Sequence, residues 1–175
     1  VEGCPRDMLI AFFNDPTTAL DDACLAEMGV QFVVPSGEAE AIELEPFTSE
    51  AMGITGLKPA GWSEAGPGVF ARGSSGLDVA TLLEQAAPGS TEDWLDVLTA
   101  QLGLDEQPES TAEREANGLT WTLYTTEVQG ISVDIALAES EGLVFIILLQ
   151  SSMDERDALY EAVYLPAIDN LVLSE

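Results

Sequence analysis

The run Leu143-Val144-Phe145-Ile146-Ile147-Leu148-Leu149 constrains this chain more than any other feature. A membrane-spanning helix needs about 20 apolar residues, so the run is too short to be one. A strand with one wet face alternates apolar and polar residues, whereas a strand covered on both faces is apolar throughout. The run therefore predicts a central strand with other layers on both sides. Exposed, it would be prone to aggregate, and Glu139, Glu141 and Asp154 flank it as charged gatekeepers.

The segments around it read as strands. Leu119, Trp121 and Leu123 alternate with Thr120, Thr122 and Tyr124, then Gln129-Gly130 makes a tight turn. Ile131, Val133, Ile135 and Leu137 alternate with Ser132, Asp134 and Ala136, and Glu141-Gly142 turns the chain again. Earlier strands are expected over 41–48, 54–57 and 69–72, and one is possible near 112–115. Lys58 to Trp62 reads as a turn leading into Gly66-Pro67-Gly68. Two helices are expected between these groups. The first rests on Val79, Leu82, Leu83 and Ala86 at i, i+3, i+4, i+7 spacing. The second opens at Ser90, has Trp94, Leu98 and Leu102 on one stripe, and stops at Gly103. A last helix runs from about Asp154 to Leu171, with Tyr160, Tyr164, Ile168 and Leu171 on one face and Pro166 placed to kink or restart it. The fold class is therefore α+β: an α/β/α sandwich with a mainly antiparallel sheet.

At 175 residues and 46% hydrophobic content, the chain is one domain or one domain plus an appendage. It holds 32 acidic and 5 basic residues, a formal net charge of -27. Such a polyanion is repelled by nucleic-acid phosphates and by anionic membrane surfaces, so neither is expected as a partner. Histidine is absent, which removes the commonest general base and metal ligand and rules out a Ser-His-Asp triad. Gly73-Ser74-Ser75-Gly76 fails the nucleophile-elbow pattern because Leu follows at position 77. No phosphate-binding or dinucleotide motif occurs. Carboxylate pairs are abundant, but none is singled out, and a solvated acidic surface explains them. Asp21-Asp22 and Glu38/Glu40 are the densest acidic spots, yet no calcium-loop pattern surrounds them. Trp62, Phe70, Trp94 and Trp121 are expected in the core. No catalytic residue, metal ligand or cofactor is assigned.

The first residues stand apart. Pro5 to Asn14 reads as a short helix with Met8, Leu9, Phe12 and Phe13 on one stripe, ended by Asp15-Pro16. Cys4 and Cys24 read as one disulfide in an exported protein and as two thiols in a cytosolic one. Without a C-x-x-C spacing or histidine they do not suggest zinc. The exported reading is adopted, and the bridge would contribute roughly 3 kcal/mol in the chain-entropy model. Val1 in place of Met suggests cleavage or a longer parent polypeptide.

Two resemblances follow. Gly3-Cys4-Pro5, Phe12-Phe13-Asn14-Asp15-Pro16 and Leu20-Asp21-Asp22-Ala23-Cys24-Leu25 resemble the C-terminal tail of secreted α/β-hydrolases of the tripeptidyl-aminopeptidase type. The resemblance implies a Cys4–Cys24 bridge and a catalytic histidine upstream of Val1, so none of that family's catalytic residues maps onto this chain. Gly61-Trp62, the paired middle helices and the closing Tyr164-Leu165-Pro166-Ala167-Ile168-Asp169 helix make the remainder look like a PsbP-like sandwich module, a fold that generally binds partners. The expected organisation is a disulfide-stapled helical tail over 1–35 and the sandwich over 36–175. The expected function is that of a secreted, non-catalytic accessory portion acting by protein contact, with the upstream hydrolase or copies of itself as partner. The alternatives are a structural subunit of an extracellular assembly or filament, and an enzyme whose catalytic part lies outside this chain.

Overall fold

The computed structural model describes residue 13 and residues 42–73 and 78–174. The chain divides into two units, Val1–Glu38 and Ala39–Glu175, and the architecture below belongs to the second. Cys4 and Cys24, the helix expected over 5–14 apart from Phe13, and the acids Asp21, Asp22, Glu38 and Glu40 lie outside the described residues. So do Ser74, Ser75, Gly76 and Leu77.

Among the described residues of this unit, ten strands and four helical segments follow in order. They are β1 (Leu44–Ser49), β2 (Ile54–Pro59), β3 (Ser63–Gly66), β4 (Val69–Ala71), β5 (Thr81–Pro88), α1 (Thr91–Leu102), β6 (Ser110–Ala116), β7 (Leu119–Val128), β8 (Ile131–Ser140), β9 (Leu143–Ser152), α2 (Arg156–Leu159), a π-helical turn (Tyr160–Tyr164), α3 (Leu165–Asn170) and β10 (Val172–Leu173). Seven strands form one sheet in the order β3-β4-β5-β9-β8-β7-β6, and β1-β2-β10 form a second. All the described pairings are antiparallel.

The apolar run is the centre of the large sheet, with β5 on one side and β8 on the other. Its alternate residues feed two cores. Val144, Ile146 and Leu148 join Val133, Ile135 and Leu137 of β8 against Leu95 and Leu98 of α1. Phe145, Ile147 and Leu149 pack with Trp121, Leu123 and Ala136 against Val163, Tyr164, Ala167 and Ile168 of the C-terminal helix. Helices thus cover both faces, as a doubly buried strand demands. The small sheet shares the second core through Ile54, with Leu44 and Phe47 packed against it.

The β6–β9 meander is tied by three two-residue turns with a common conformation. Asn117, Gln129 and Glu141 have φ of 52°, 53° and 54°, and the following Gly118, Gly130 and Gly142 are also in the positive-φ region. Two successive positive-φ residues suit the right-handed twist of a hairpin, and glycine adopts the second without a Cβ clash.

One expectation is overturned. The segment expected as a helix through Val79, Leu82, Leu83 and Ala86 is strand β5, in register with β4 and, over its whole length, with Leu143 to Gln150 of β9. Leu82 enters the C-terminal-helix core and Leu83 the α1 core, which only a period of two can do. Without β5, one edge of the apolar central strand would be unpaired, and that requirement overrides the helical preference of Leu, Glu, Gln and Ala. Among the described residues, the middle of the chain therefore holds one helix. Strands β3 and β10 were not foreseen, and β1 begins at Leu44, later than expected.

Helix α1 has the expected ends. The Ser90 hydroxyl accepts the Asp93 N–H at 3.2 Å, and Gly103 closes the helix in the left-handed conformation. The C-terminal helix widens into a π turn just ahead of Pro166. Proline cannot donate an amide hydrogen bond and its ring crowds the carbonyl four residues back, and a wide turn relieves both.

Candidate functional site

Three of the four expected core aromatics are buried, Trp62, Phe70 and Trp121, while Trp94 is half-buried with its indole N–H donating to the Pro88 carbonyl at 3.0 Å. The gatekeepers Glu139, Glu141 and Asp154 are exposed. Glu139 also accepts the Thr91 N–H at 3.2 Å, at the positive end of α1.

The polar chemistry of the described residues gathers on the large-sheet face that carries the C-terminal helix. Asp134 of β8 is 0% exposed. Its Oδ1 accepts the Thr125 hydroxyl at 2.8 Å and Arg156 Nη2 at 2.7 Å, and its Oδ2 accepts Arg156 Nε at 3.2 Å. This two-pronged contact with Asp134 raises the Arg156 pKa. The Arg156 guanidinium also lies 4.5 Å from the centre of the Tyr160 ring. Tyr160 in turn meets Tyr164 with ring centres 5.0 Å apart. Tyr164 is fully buried and its hydroxyl has no hydrogen-bond partner. Burial, then the nearby Asp134 charge, push both tyrosine hydroxyls above their ordinary pKa, Tyr164 far above it. Beside this cluster opens a groove of about 530 Å³, lined by Thr111 and Ala112 of β6, Thr125, Arg156, Asp157, Tyr160 and Glu161. A π turn at such a place matches the association of π turns with functional positions.

A second buried carboxyl, Glu84 of β5, is also 0% exposed, but neither of its oxygens has a hydrogen-bond partner. Burial pushes its pKa well above the usual carboxylate range; the nearby Leu57 amide works weakly the other way, short of hydrogen-bond geometry. The carboxyl fills the space left by Gly56, where a Cβ would collide with Glu84 Oε2 and lie 2.8 Å from Phe47 Cε1. A groove of about 360 Å³ nearby is walled by Phe47 and Phe70, with Lys58 and Glu64 on its lining.

The described basic side chains are all committed to carboxylates. Arg72 donates two hydrogen bonds to Asp78 and two to Glu155. Arg114 holds Asp169 through two contacts of 2.7 Å, tying β6 to α3. Lys58 meets Glu45 at 3.0 Å. The cations therefore serve the fold, and the remaining acids give the surface its sign.

Sequence reading missed both buried acids. Asp134 had a usable signal: it lies in an alternating strand beside the apolar run, where a charge needs a partner. Glu84 had none among 32 acidic residues. No helix among the described residues is long and apolar enough to cross a membrane.

No protein-family description and no curated protein matches the chain. Solved structures do. The solution structure of PsbP (CyanoP) from the cyanobacterium Synechocystis sp. PCC 6803 aligns with a TM-score of 0.50 at 14% identity, covering 78% of this chain and 95% of that one. A Bacteroides thetaiotaomicron VPI-5482 crystal structure aligns with a TM-score of 0.47 at 12% identity, covering 75% of this chain and 48% of that one. A Pseudomonas aeruginosa protein of unknown function aligns with a TM-score of 0.42 at 16% identity, covering 76% of this chain and 99% of that one. The first of these shows the fold, even though one of the two middle helices expected for it is strand β5: the chain carries a PsbP-like sandwich built on a mostly antiparallel sheet.

Proposed function

We propose that this chain is a non-catalytic accessory module that acts by protein–protein contact, as the C-terminal portion of a secreted α/β-hydrolase-like protein. The observation that carries the contact role is the division of its charges. The described cations are locked in ion pairs within the fold, and the deepest of these, Arg156 with Asp134, ties a buried strand to a helix. The uncommitted charges are carboxylates on the surface, where they govern encounter and partner choice. The PsbP-like fold supports a binding role as an analogy of fold. The link to a hydrolase rests on the tail motifs around Cys4 and Cys24. Two measurements test the reading. Coding sequence upstream of Val1 should contain a Gly-x-Ser-x-Gly segment and a histidine; a signal peptide directly before Val1 would remove the hydrolase link. The purified chain should turn over no peptide, ester or glycoside; turnover would remove the non-catalytic assignment.

A further inference from the structure

We propose that the outer edge of β6 is a docking site for an extended, lysine- or arginine-rich segment of another protein, which adds to the large sheet as one further strand and seats a basic side chain in the adjoining groove. The inference rests on the contact-module reading and names its partner chemistry. Strand β6 ends the large sheet, and no described strand pairs with its far side. An unpaired strand edge is a row of free N–H and C=O groups, the template for strand addition. The other described edges are poorer templates: β3 has four residues, β10 has two, and β1 contains Pro46, which has no N–H to offer. The seven residues of β6 contain no proline, and five of them are exposed.

The edge is acidic on both faces. Arg114 turns toward α3, where Asp169 neutralises it, so by strand alternation Glu113 and Glu115 stand on the opposite face. On the helix face, Thr111, Ala112 and the Tyr160 ring wall the groove. Arg156 also lines it, over that ring and 3.2 Å from the exposed Asp157, but its single positive charge is outnumbered by the buried Asp134 and by Asp157 and the exposed Glu161 on the rim. Carboxylates beside an aromatic surface suit an ammonium or guanidinium side chain. A second copy is opposed as occupant, at neutral pH and low salt, by the net charge of -27. Nor does this chain hold a cationic strand to offer, since its basic residues are isolated at positions 6, 58, 72, 114 and 156. The charges that oppose self-pairing thus select a partner of opposite sign.

A fluorescein-labelled peptide of alternating lysine and threonine, titrated into the full chain by anisotropy, tests this. Saturable binding is expected, with new amide-exchange protection over residues 110–116. Methylating alternate peptide amides should abolish binding, since strand addition needs the main chain. Glu113→Lys/Glu161→Lys should weaken binding by roughly tenfold or more at low salt, with the melting temperature confirming that the variant is folded. No binding, binding that survives both changes, or protection confined to other strands would overturn the proposal. Those results would leave the contact-module reading standing, because that reading is decided by upstream sequence and by turnover.

Discussion

Asp134 and Glu84 are both fully buried carboxyl groups on the same face of one sheet, and the fold treats them in opposite ways. Asp134 meets a guanidinium and a hydroxyl; the Glu84 carboxyl sits against the bare backbone of Gly56, at a spot that the Phe47 ring and Leu171 also border. A buried carboxylate is tolerated when it is paired and hydrogen-bonded, and otherwise keeps its proton. With 5 basic residues to 32 acidic ones, cations are scarce. One is used where strand β8 must be joined to the start of α2. At Glu84 the cost is met by shape: a glycine makes room for a carboxyl whose burial favours the protonated form.

The difference can be broken most severely on the Asp134 side. Arg156→Ala strands a fully buried carboxylate and is expected to cost about 3–5 kcal/mol, read by urea denaturation. Arg156→Lys should recover part of that loss; equal losses would mean that the ion pair is incidental.

The Glu84 side breaks by crowding. Gly56→Ala places a methyl group against the Glu84 carboxyl and the Phe47 ring, and should cost about 1–3 kcal/mol. Adding Glu84→Ala should return much of that loss, because it removes the clash. A double variant whose losses simply add would show that the two residues are not coupled.

The smallest effect belongs to the half-exposed Arg72 network. Hydrogen bonds from Arg72 hold Asp78 and Glu155 below the ordinary carboxylate range. Their support is present above the unfolded-state values and is lost as the pH falls through the folded ones. Glu155→Gln should therefore lower stability by about 0–1 kcal/mol at neutral pH and less in acid, as thermal melts across that range would reveal. A deficit that grows on acidification would contradict this assignment.

Much of the sandwich was legible because the apolar run allows few environments and the Gly-containing turns set its neighbours. The ends of α1 were legible for a local reason, a serine cap and a glycine stop. Strand β5 was not: Val79, Leu82, Leu83 and Ala86 satisfy helical spacing, and only the need to pair β9 makes the segment extended. The docking edge was partly legible, since a strand was foreseen near Ala112 to Glu115, but its terminal place in the sheet depends on topology. Glu84 was illegible because its partner is a space, and nothing in the sequence marks the absence of a Cβ at Gly56 as belonging to a residue far along the chain.

The central division, a polar interior sealed for stability and an acidic edge left open for contact, is tested most directly at Glu84. Burial raises its pKa above the unfolded value, so its support is complete below that value and is lost as the pH climbs toward the folded one. Carbon-13 NMR of the side-chain carboxyls from about pH 3 to about pH 9 follows the group itself. Glu84 should still hold its proton after the surface glutamates have lost theirs, and Glu84→Gln should flatten the decline of stability with rising pH. A Glu84 signal that titrates together with the surface acids would show that water reaches this site, and the sealed interior would be wrong.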